Sequence, residues 1–150
     1  MLLHPNGETF ATGAIRYSYR PVSANETTNR IILLVEIAGV LTEAVVDTGA
    51  PFVICAPRIA LLAGFDRAYA LARMRMLIRG MQLEGSLTRL SIKLLAREGD
   101  DLTVDATVFV PDVEEYWGSF PSFIGLTGFL ERLRFAVDPS TDTFYFGPLS

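Results

Sequence analysis

The sequence predicts an all-β fold class, that is, a mainly β domain with one or two short helices. Apolar and polar residues alternate along several segments, most clearly from Leu102 to Val110, and this alternation is typical of a strand with one buried face. Turn-forming residues such as Glu98 to Asp101 separate these segments. At 150 residues, half of them hydrophobic, the chain is long enough to bury one core.

The first part of the chain predicts strands followed by a short helix. Residues 14–20 form a possible first strand, and residues 30–38 and 41–46 form a hairpin that ends at Asp47. A short helix is predicted from Ala56 to Leu62, and Gly64 stops it. Residues 66–73 are rich in alanine and predict another turn or two of helix.

The second part of the chain predicts strands on both sides of residues 80–85, in which glycines bracket the tip. The strand from Leu102 to Val110 follows, and Pro111 ends it. Leu126, Phe129, Leu130 and Leu133 have helical spacing. Residues 135–138 and 143–146 then predict a closing hairpin.

Composition excludes several classes of function. The net charge is −4 without a basic cluster, so nucleic-acid binding is not expected. No apolar run reaches the roughly 18 residues of a membrane span, and the surplus apolar surface favours a subunit interface. The N-terminus has no secretion signal, which predicts a cytoplasmic protein.

The single histidine, His4, and the single cysteine, Cys55, exclude most other catalytic sites. A Ser-His-Asp triad, a Cys-His dyad or a zinc site with several histidines would each have to use His4. No internal disulfide is possible, and Cys55 is expected to be a small core residue. We expect neither a metal nor a cofactor.

The segment from Glu43 to Ala50 carries the most informative motif. Strand-forming residues end in Asp47, followed by Thr48 and Gly49. Thr48 has a hydroxyl that can donate to backbone or across a symmetry axis, and Gly49 permits close backbone approach. This order predicts a rigidly held carboxylate without a basic partner. Asp-Thr-Gly alone is also a common turn sequence.

This segment resembles the Asp-Thr-Gly-Ala signature of the retropepsin-like aspartic peptidases, the single-lobed branch of clan AA. Residues 122–125, Ser-Phe-Ile-Gly, with the helical spacing and hairpin that follow, resemble the second signature of that family. The resemblance spans residues 30–146. It implies a leader and first strand in residues 1–29, and a peptidase domain in residues 30–150. It also implies a single-lobe acid-protease barrel closed as a two-fold dimer.

The resemblance assigns roles to particular residues. It implies that Asp47 is catalytic, and that the active-site support consists of Thr48, Gly49, Ala50, Ile124 and Gly125. It places a substrate-binding flap at Gly80, Met81, Gln82 and Leu83; an ordinary hairpin is the alternative. Trp117 either lines the cleft or anchors its loop on the core. Pro51 and Leu126 depart from the small polar residue and the arginine expected at these positions.

The resemblance implies a mechanism with two carboxyl groups around one water. One carboxylate takes the proton of the water, and the other carboxyl polarises the substrate carbonyl. The chain has one Asp-Thr-Gly, so the active unit would be a homodimer that cleaves extended peptides or proteins at acidic pH. Residues 143–146 either form the dimer strand or pack in the core.

Two alternatives to a peptidase remain at this point. The first is a non-catalytic dimeric module that binds peptides or proteins on the same fold. The second is a structural β domain in which Asp47 caps a turn, and this alternative predicts a monomer.

Overall fold

Twelve strands, one α-helix and two 3-10 helices form the structure, a computed structural model that describes residues 1–150. The strands are β1 (Gly13–Arg16), β2 (Ser18–Arg20), β3 (Arg30–Ile37), β4 (Val40–Val46), β5 (Val53–Ile54), β6 (Ala72–Ile78), β7 (Met81–Leu94), β8 (Glu98–Gly99), β9 (Leu102–Pro111), β10 (Ser122–Ile124), β11 (Leu133–Asp138) and β12 (Thr143–Pro148). Helix α1 spans Pro57–Leu62, and the 3-10 helices span Arg67–Tyr69 and Leu130–Arg132. The predicted all-β class is confirmed.

The larger sheet closes on itself as a barrel. Its strand order is β2-β3-β4-β10-β5-β9-β7-β6, and β3 also pairs with β7. Because β3 bonds to β4 on one side and to β7 on the other, the strands between them form a closed ring. A four-stranded sheet, ordered β11-β12-β1-β8, packs beside it. The apolar faces of both sheets share one core of 32 buried residues.

The hairpin that leads to Asp47 forms as predicted. β3 and β4 pair in antiparallel register from Ile32↔Val45 to Ile37↔Val40. Ala38 and Gly39 make the turn with φ values of 45° and 86°, as expected for a two-residue hairpin loop. The predicted helix after Cys55 also forms as α1, with Pro57 at its first turn.

The predicted helix after Gly125 is wrong in its extent. Only Leu130–Arg132 forms a 3-10 turn, because Gly128 has a φ of +80° and Phe129 has a non-helical φ of −141°. Phe129, Leu130 and Leu133 are nevertheless buried. These residues are therefore buried along an irregular segment, and their spacing alone does not require a helix.

Residues 143–146 pack in the core, the second of the two alternatives. β12 pairs with β11 on one edge and with β1 on the other, so neither edge is free to pair with another subunit. Phe144 and Phe146 are completely buried. Residues 13–20 likewise join both sheets, since β1 pairs with β12 and β2 pairs with β3.

Candidate active site

Asp47 lies immediately after β4, where the chain turns away from the barrel. Its backbone N–H donates to the carbonyl oxygen of Ile124 at 2.9 Å, and its own carbonyl accepts from the Ala50 N–H at 3.1 Å. The Gly49 N–H donates to Asp47 Oδ1 at 3.0 Å. Three hydrogen bonds thus fix the main chain and one carboxylate oxygen of Asp47 in place.

The second motif lies directly against this loop. β10 runs parallel to β4, with Ile124 opposite Val46, and it separates β4 from β5. A Cβ at Gly125 would overlap the carbonyl oxygens of Phe52 and Ala50, so only glycine fits there. The Leu126 N–H also donates to Ala50 O at 2.9 Å. The structure therefore brings both motifs together around Asp47.

The expectation that Asp47 has no basic partner is wrong. Arg30 Nη2 lies 3.6 Å from Asp47 Oδ2, and both side chains are partly exposed, at 29% and 36%. Arg30 stands at the start of β3, across the hairpin from the end of β4. Its guanidinium also lies over the Phe123 ring, 5.8 Å from the centroid. The pairing of β3 with β4 creates this contact, which the sequence alone did not reveal.

The outer face of the loop is open. Thr48 and Gly49 are exposed, and so is the side chain of Leu126, at 41%. Ala50 is buried. Pro51 lines the cleft and, as a proline, has no backbone N–H to donate.

A cleft of about 260 Å³ lies in front of Asp47. It is bounded by the Asp47 loop, by β6 with the turn that follows it, by the loop before β3, and by the segment around β10. The lining residues are Glu26, Arg30, Asp47, Gly49, Ala50, Pro51, Ile54, Met76, Leu77, Ile78, Arg79, Phe120 and Phe123. The cleft thus combines apolar walls with two carboxylates and two guanidinium groups, a mixture typical of a ligand site.

The β6–β7 hairpin covers the cleft, but the contacts come from residues before those predicted. Arg79 and Gly80 form its turn, with φ values of 54° and 80°, and Ile78 pairs with Met81. Met76, Leu77, Ile78 and Arg79 line the cleft. The predicted residues Gly80, Met81 and Gln82 are exposed, and Leu83 is buried opposite Met76.

The tip of this hairpin is also shorter than predicted. Gly85, the predicted second bracketing glycine, lies within β7 against Phe109 and opposite Pro111. The close packing on Phe109 leaves no room for a Cβ at Gly85. This glycine therefore serves close packing within the sheet, not a turn.

An aromatic cluster supports the cleft from the side of β10. Trp117 is 3% exposed and contacts Phe120 and Phe123 edge to face, at 6.4 and 5.9 Å between ring centroids. Phe120 and Phe123 stack on each other at 5.6 Å. Trp117 thus anchors its loop on the core, while the two phenylalanines reach the cleft.

Sequence reasoning missed Glu26, Arg30, Arg79 and Phe120 as cleft residues. Glu26 Oε2 is buried without a hydrogen-bond partner, which is unusual for a charged atom. Arg79 offered one signal in the sequence, since it directly precedes the glycine of a predicted hairpin tip. The other three come from loops or strand ends whose approach to Asp47 depends on the closed barrel.

Cys55 takes no part in the cleft. It is completely buried, and burial raises the pKa of its thiol to about 12, so it carries almost no thiolate at neutral pH. This confirms the expected core position. No cluster of three or more potential metal-ligating side chains occurs in the structure, and no helix is long and apolar enough to cross a membrane.

Comparisons with known proteins give structural matches only. No protein-family model matches the sequence, and no curated protein matches it. The structure is similar to that of a retropepsin-like aspartic protease from Rickettsia conorii, with a TM-score of 0.57 and 20% identity, over 91% of this chain and 94% of the other.

A second solved structure has the same kind of fold. It is the retroviral protease-like domain of Ddi1 from Leishmania major, with a TM-score of 0.51 and 22% identity, over 79% of this chain and 94% of the other. The chain therefore has a retropepsin-like fold, as the two sequence motifs predicted.

Proposed function

We propose that this protein is an aspartic endopeptidase that cleaves extended peptides or protein segments. The observation that carries this proposal is the fixed carboxylate of Asp47, which opens onto a cleft beneath a hairpin. The retropepsin-like fold supports it. Thr48, Gly49, Ala50, Ile124 and Gly125 serve in the proposal as the support of Asp47.

The active unit in this proposal is a homodimer. Hydrolysis by this chemistry needs two carboxyl groups that share one proton, since the repulsion between carboxylates in contact raises the pKa of one of them; aspartic proteases are the established example. One chain offers a single Asp-Thr-Gly motif. Asp47 from each subunit would meet at a two-fold axis, where the exposed Thr48 and Leu126 beside it would also face the partner.

In the catalytic cycle, substrate lies extended between the Asp47 loops and the two hairpins. One Asp47 carboxylate takes a proton from water, and the protonated partner polarises the scissile carbonyl. The resulting hydroxide attacks the carbonyl carbon, and the proton moves to the leaving amine. The buried Met76, Ile78 and Ile54 and the ring of Phe123 give the cleft apolar walls, which favour apolar side chains near the cut.

The experiment that tests the proposal is cleavage of a diverse peptide mixture between pH 3 and 7 by the parent protein and by D47N. Asparagine keeps the shape of the side chain but cannot exchange a proton, so we expect cleavage to fall by about 10²- to 10⁴-fold. D100N is the matched control, because Asp100 is exposed and belongs to no ion pair. Cleavage that persists in D47N contradicts the proposal, and so does a rate maximum above pH 8.

A non-catalytic dimeric module that binds peptides or proteins is the second candidate. Pro51 favours it, since the residue directly after the motif lines the cleft and, as a proline, has no backbone N–H with which to support the Asp47 loop. Absence of cleavage by a protein that is dimeric and binds extended peptides would select this candidate.

A further inference from the structure

Arg79 occupies an unfavourable backbone position at the tip of the hairpin that covers the cleft. Its φ is +54°, followed by +80° at Gly80. In a two-residue hairpin turn of this kind, asparagine, aspartate or glycine is strongly preferred at the first position. A long side chain with a β-carbon adopts this conformation at an energetic cost, and such residues often occur where the side chain has a function.

The guanidinium of Arg79 lies over a ring of the aromatic cluster. Its Cζ is 3.4 Å from the centroid of the Phe120 ring. Phe120 stacks on Phe123, with 26° between the ring planes, and the Arg30 guanidinium lies over Phe123, 5.8 Å from its centroid. A continuous series of stacked groups therefore runs from the hairpin tip to Arg30, which contacts Asp47.

Arg79 is the one cation of the cleft without a carboxylate. The structure has seven ion pairs, and Arg79 belongs to none of them, whereas Arg30 pairs with Asp47. Glu26, the remaining carboxylate of the cleft, forms no ion pair with Arg79. An arginine stacked on an aromatic ring keeps the N–H groups at its edge free, and these groups match a carboxylate in bidentate geometry.

We propose that Arg79 selects an acidic side chain of the bound peptide. This inference rests on the proposed function for its substrate class, an extended peptide. An aspartate or glutamate residue would place its carboxylate against the edge of the Arg79 guanidinium. Apolar residues nearer the cut would contact Met76, Ile78 and Phe123. The selected sequence is therefore apolar at the cleavage point and acidic at a position that reaches the hairpin tip.

The alternative to this proposal is a purely structural role for Arg79. If the contact of Arg79 with Phe120 serves only to hold the hairpin on its own subunit, the guanidinium adds no selectivity. The two roles differ in one measurable property. If the role is structural, Arg79 variants change the affinity for all peptides to the same extent. If Arg79 recognises an acidic side chain, the variants lose the discrimination between glutamate and its neutral isostere glutamine.

The test measures binding on D47N combined with R30Q, which separates selectivity from cleavage and leaves Arg79 as the one unpaired arginine of the cleft. The probes are fluorescein-labelled eight-residue peptides of leucine, valine and alanine, with glutamate or glutamine placed at one position at a time. Anisotropy at pH 6 gives the dissociation constants for this double variant alone and for the same variant with R79Q, R79K or R97Q added. Arg97 is exposed, belongs to no ion pair and lies on the smaller-sheet side of the molecule, so R97Q controls for the change in net charge.

We expect glutamate to bind at least about tenfold more tightly than glutamine at one position, because a charge-assisted hydrogen bond has that strength. R79Q should abolish this preference, R79K should retain part of it, and R97Q should leave it unchanged. Equal binding of the two peptides at every position overturns the inference. A preference that survives R79Q, or no peptide binding at all, overturns it as well.

Cleavage by the parent protein distinguishes failure of this inference from failure of the proposed function. Cleavage without a preference for glutamate leaves the peptidase intact and removes only the role of Arg79. No cleavage, together with a glutamate preference that depends on Arg79, overturns the peptidase proposal and supports a module that binds acidic peptides.

Discussion

Arg30 and Gly49 contact different carboxylate oxygens of Asp47. The Gly49 N–H donates to Oδ1 at 3.0 Å, and Arg30 Nη2 lies 3.6 Å from Oδ2. One contact comes from the motif itself, and the other comes from the neighbouring strand. Together they restrict rotation of the carboxylate plane, which is the property that a positioned general base requires.

We therefore expect Arg30 to act as a positioning residue. In R30Q, kcat should fall about tenfold or more, since small displacements of a reacting group are costly. KM should change less, and R30K should recover part of kcat. The free energy of unfolding should change by only about 1 kcal/mol or less, because partly exposed ion pairs contribute little. Steady-state kinetics and urea unfolding measure the two effects, and an equal loss of stability and activity contradicts this role.

Mixing subunits tests whether the second carboxyl group comes from a partner. When the parent protein re-equilibrates with a ninefold excess of D47N, random pairing leaves about one tenth of the parent chains in parent dimers. The measured activity should fall to about one tenth of that of the same amount of parent protein alone, because a mixed dimer has one Asp47 carboxyl instead of two.

The matched control for this mixture is a ninefold excess of D100N, whose mixed dimers with the parent protein should be as active as parent dimers. Glu26 makes the opposite outcome informative, since it is a second carboxylate in the cleft of the same chain. If Glu26 supplied the second carboxyl group, an excess of D47N would leave the activity of the parent chains unchanged.

Local patterns in the sequence predicted most of the strands. The alternation from Leu102 to Val110 predicted β9, and the hairpin before Asp47 formed with its turn at Ala38 and Gly39. These elements depend on interactions between residues that are near in sequence, which periodicity and turn preferences record. The order of the two motifs also predicted the fold, because both contain residues that only this packing requires, such as Gly125.

The remaining features depend on contacts between distant parts of the chain. Arg30 reaches Asp47 because β3 pairs with β4, and no local pattern records the direction of one long side chain. The helical spacing after Gly125 was overridden by the φ of +80° at Gly128, where a Cβ would overlap Thr107. The lining of the cleft by Met76 to Arg79 depends on where the hairpin turns, and turn positions are less predictable than strands.

Gly125 should be intolerant of any side chain. In G125A the added methyl group would overlap two carbonyl oxygens, so we expect a loss of about 3 kcal/mol or more in the free energy of unfolding. Activity should fall with it, because Ala50 and Asp47 belong to the displaced loop. G39A is the control, since Gly39 has a φ of +86° but open space around it, and its backbone strain should cost about 1–2 kcal/mol. Urea denaturation measures both variants. An equal loss in the free energy of unfolding for G125A and G39A would show that close packing at Gly125 is not required.

The ion pair between Arg73 and Asp112 should make stability depend on acidity. Arg73 Nη1 donates to Asp112 Oδ1 at 2.6 Å and connects β6, the first strand of the hairpin, to the residue after β9. This hydrogen bond, assisted by the charges of Arg73 and Arg67, holds the pKa of Asp112 below its ordinary value of 3.8. A carboxyl whose pKa is lowered by folding contributes stability above its unfolded pKa and loses it as the pH falls through the folded value.

D112N removes this contribution, so its Tm should lie below that of the parent protein at pH 6. The difference should narrow as the pH falls below about 3.8, because the carboxyl of the unfolded chain takes up its proton there, and the folded carboxyl does so only at lower pH. D100N, which removes an exposed carboxyl without an ion pair, should show a smaller difference at pH 6. Melting curves from pH 2 to 7 give the Tm of all three proteins. If the difference in Tm between D112N and the parent protein stays constant over this range, the Arg73–Asp112 pair does not stabilise the base of the hairpin.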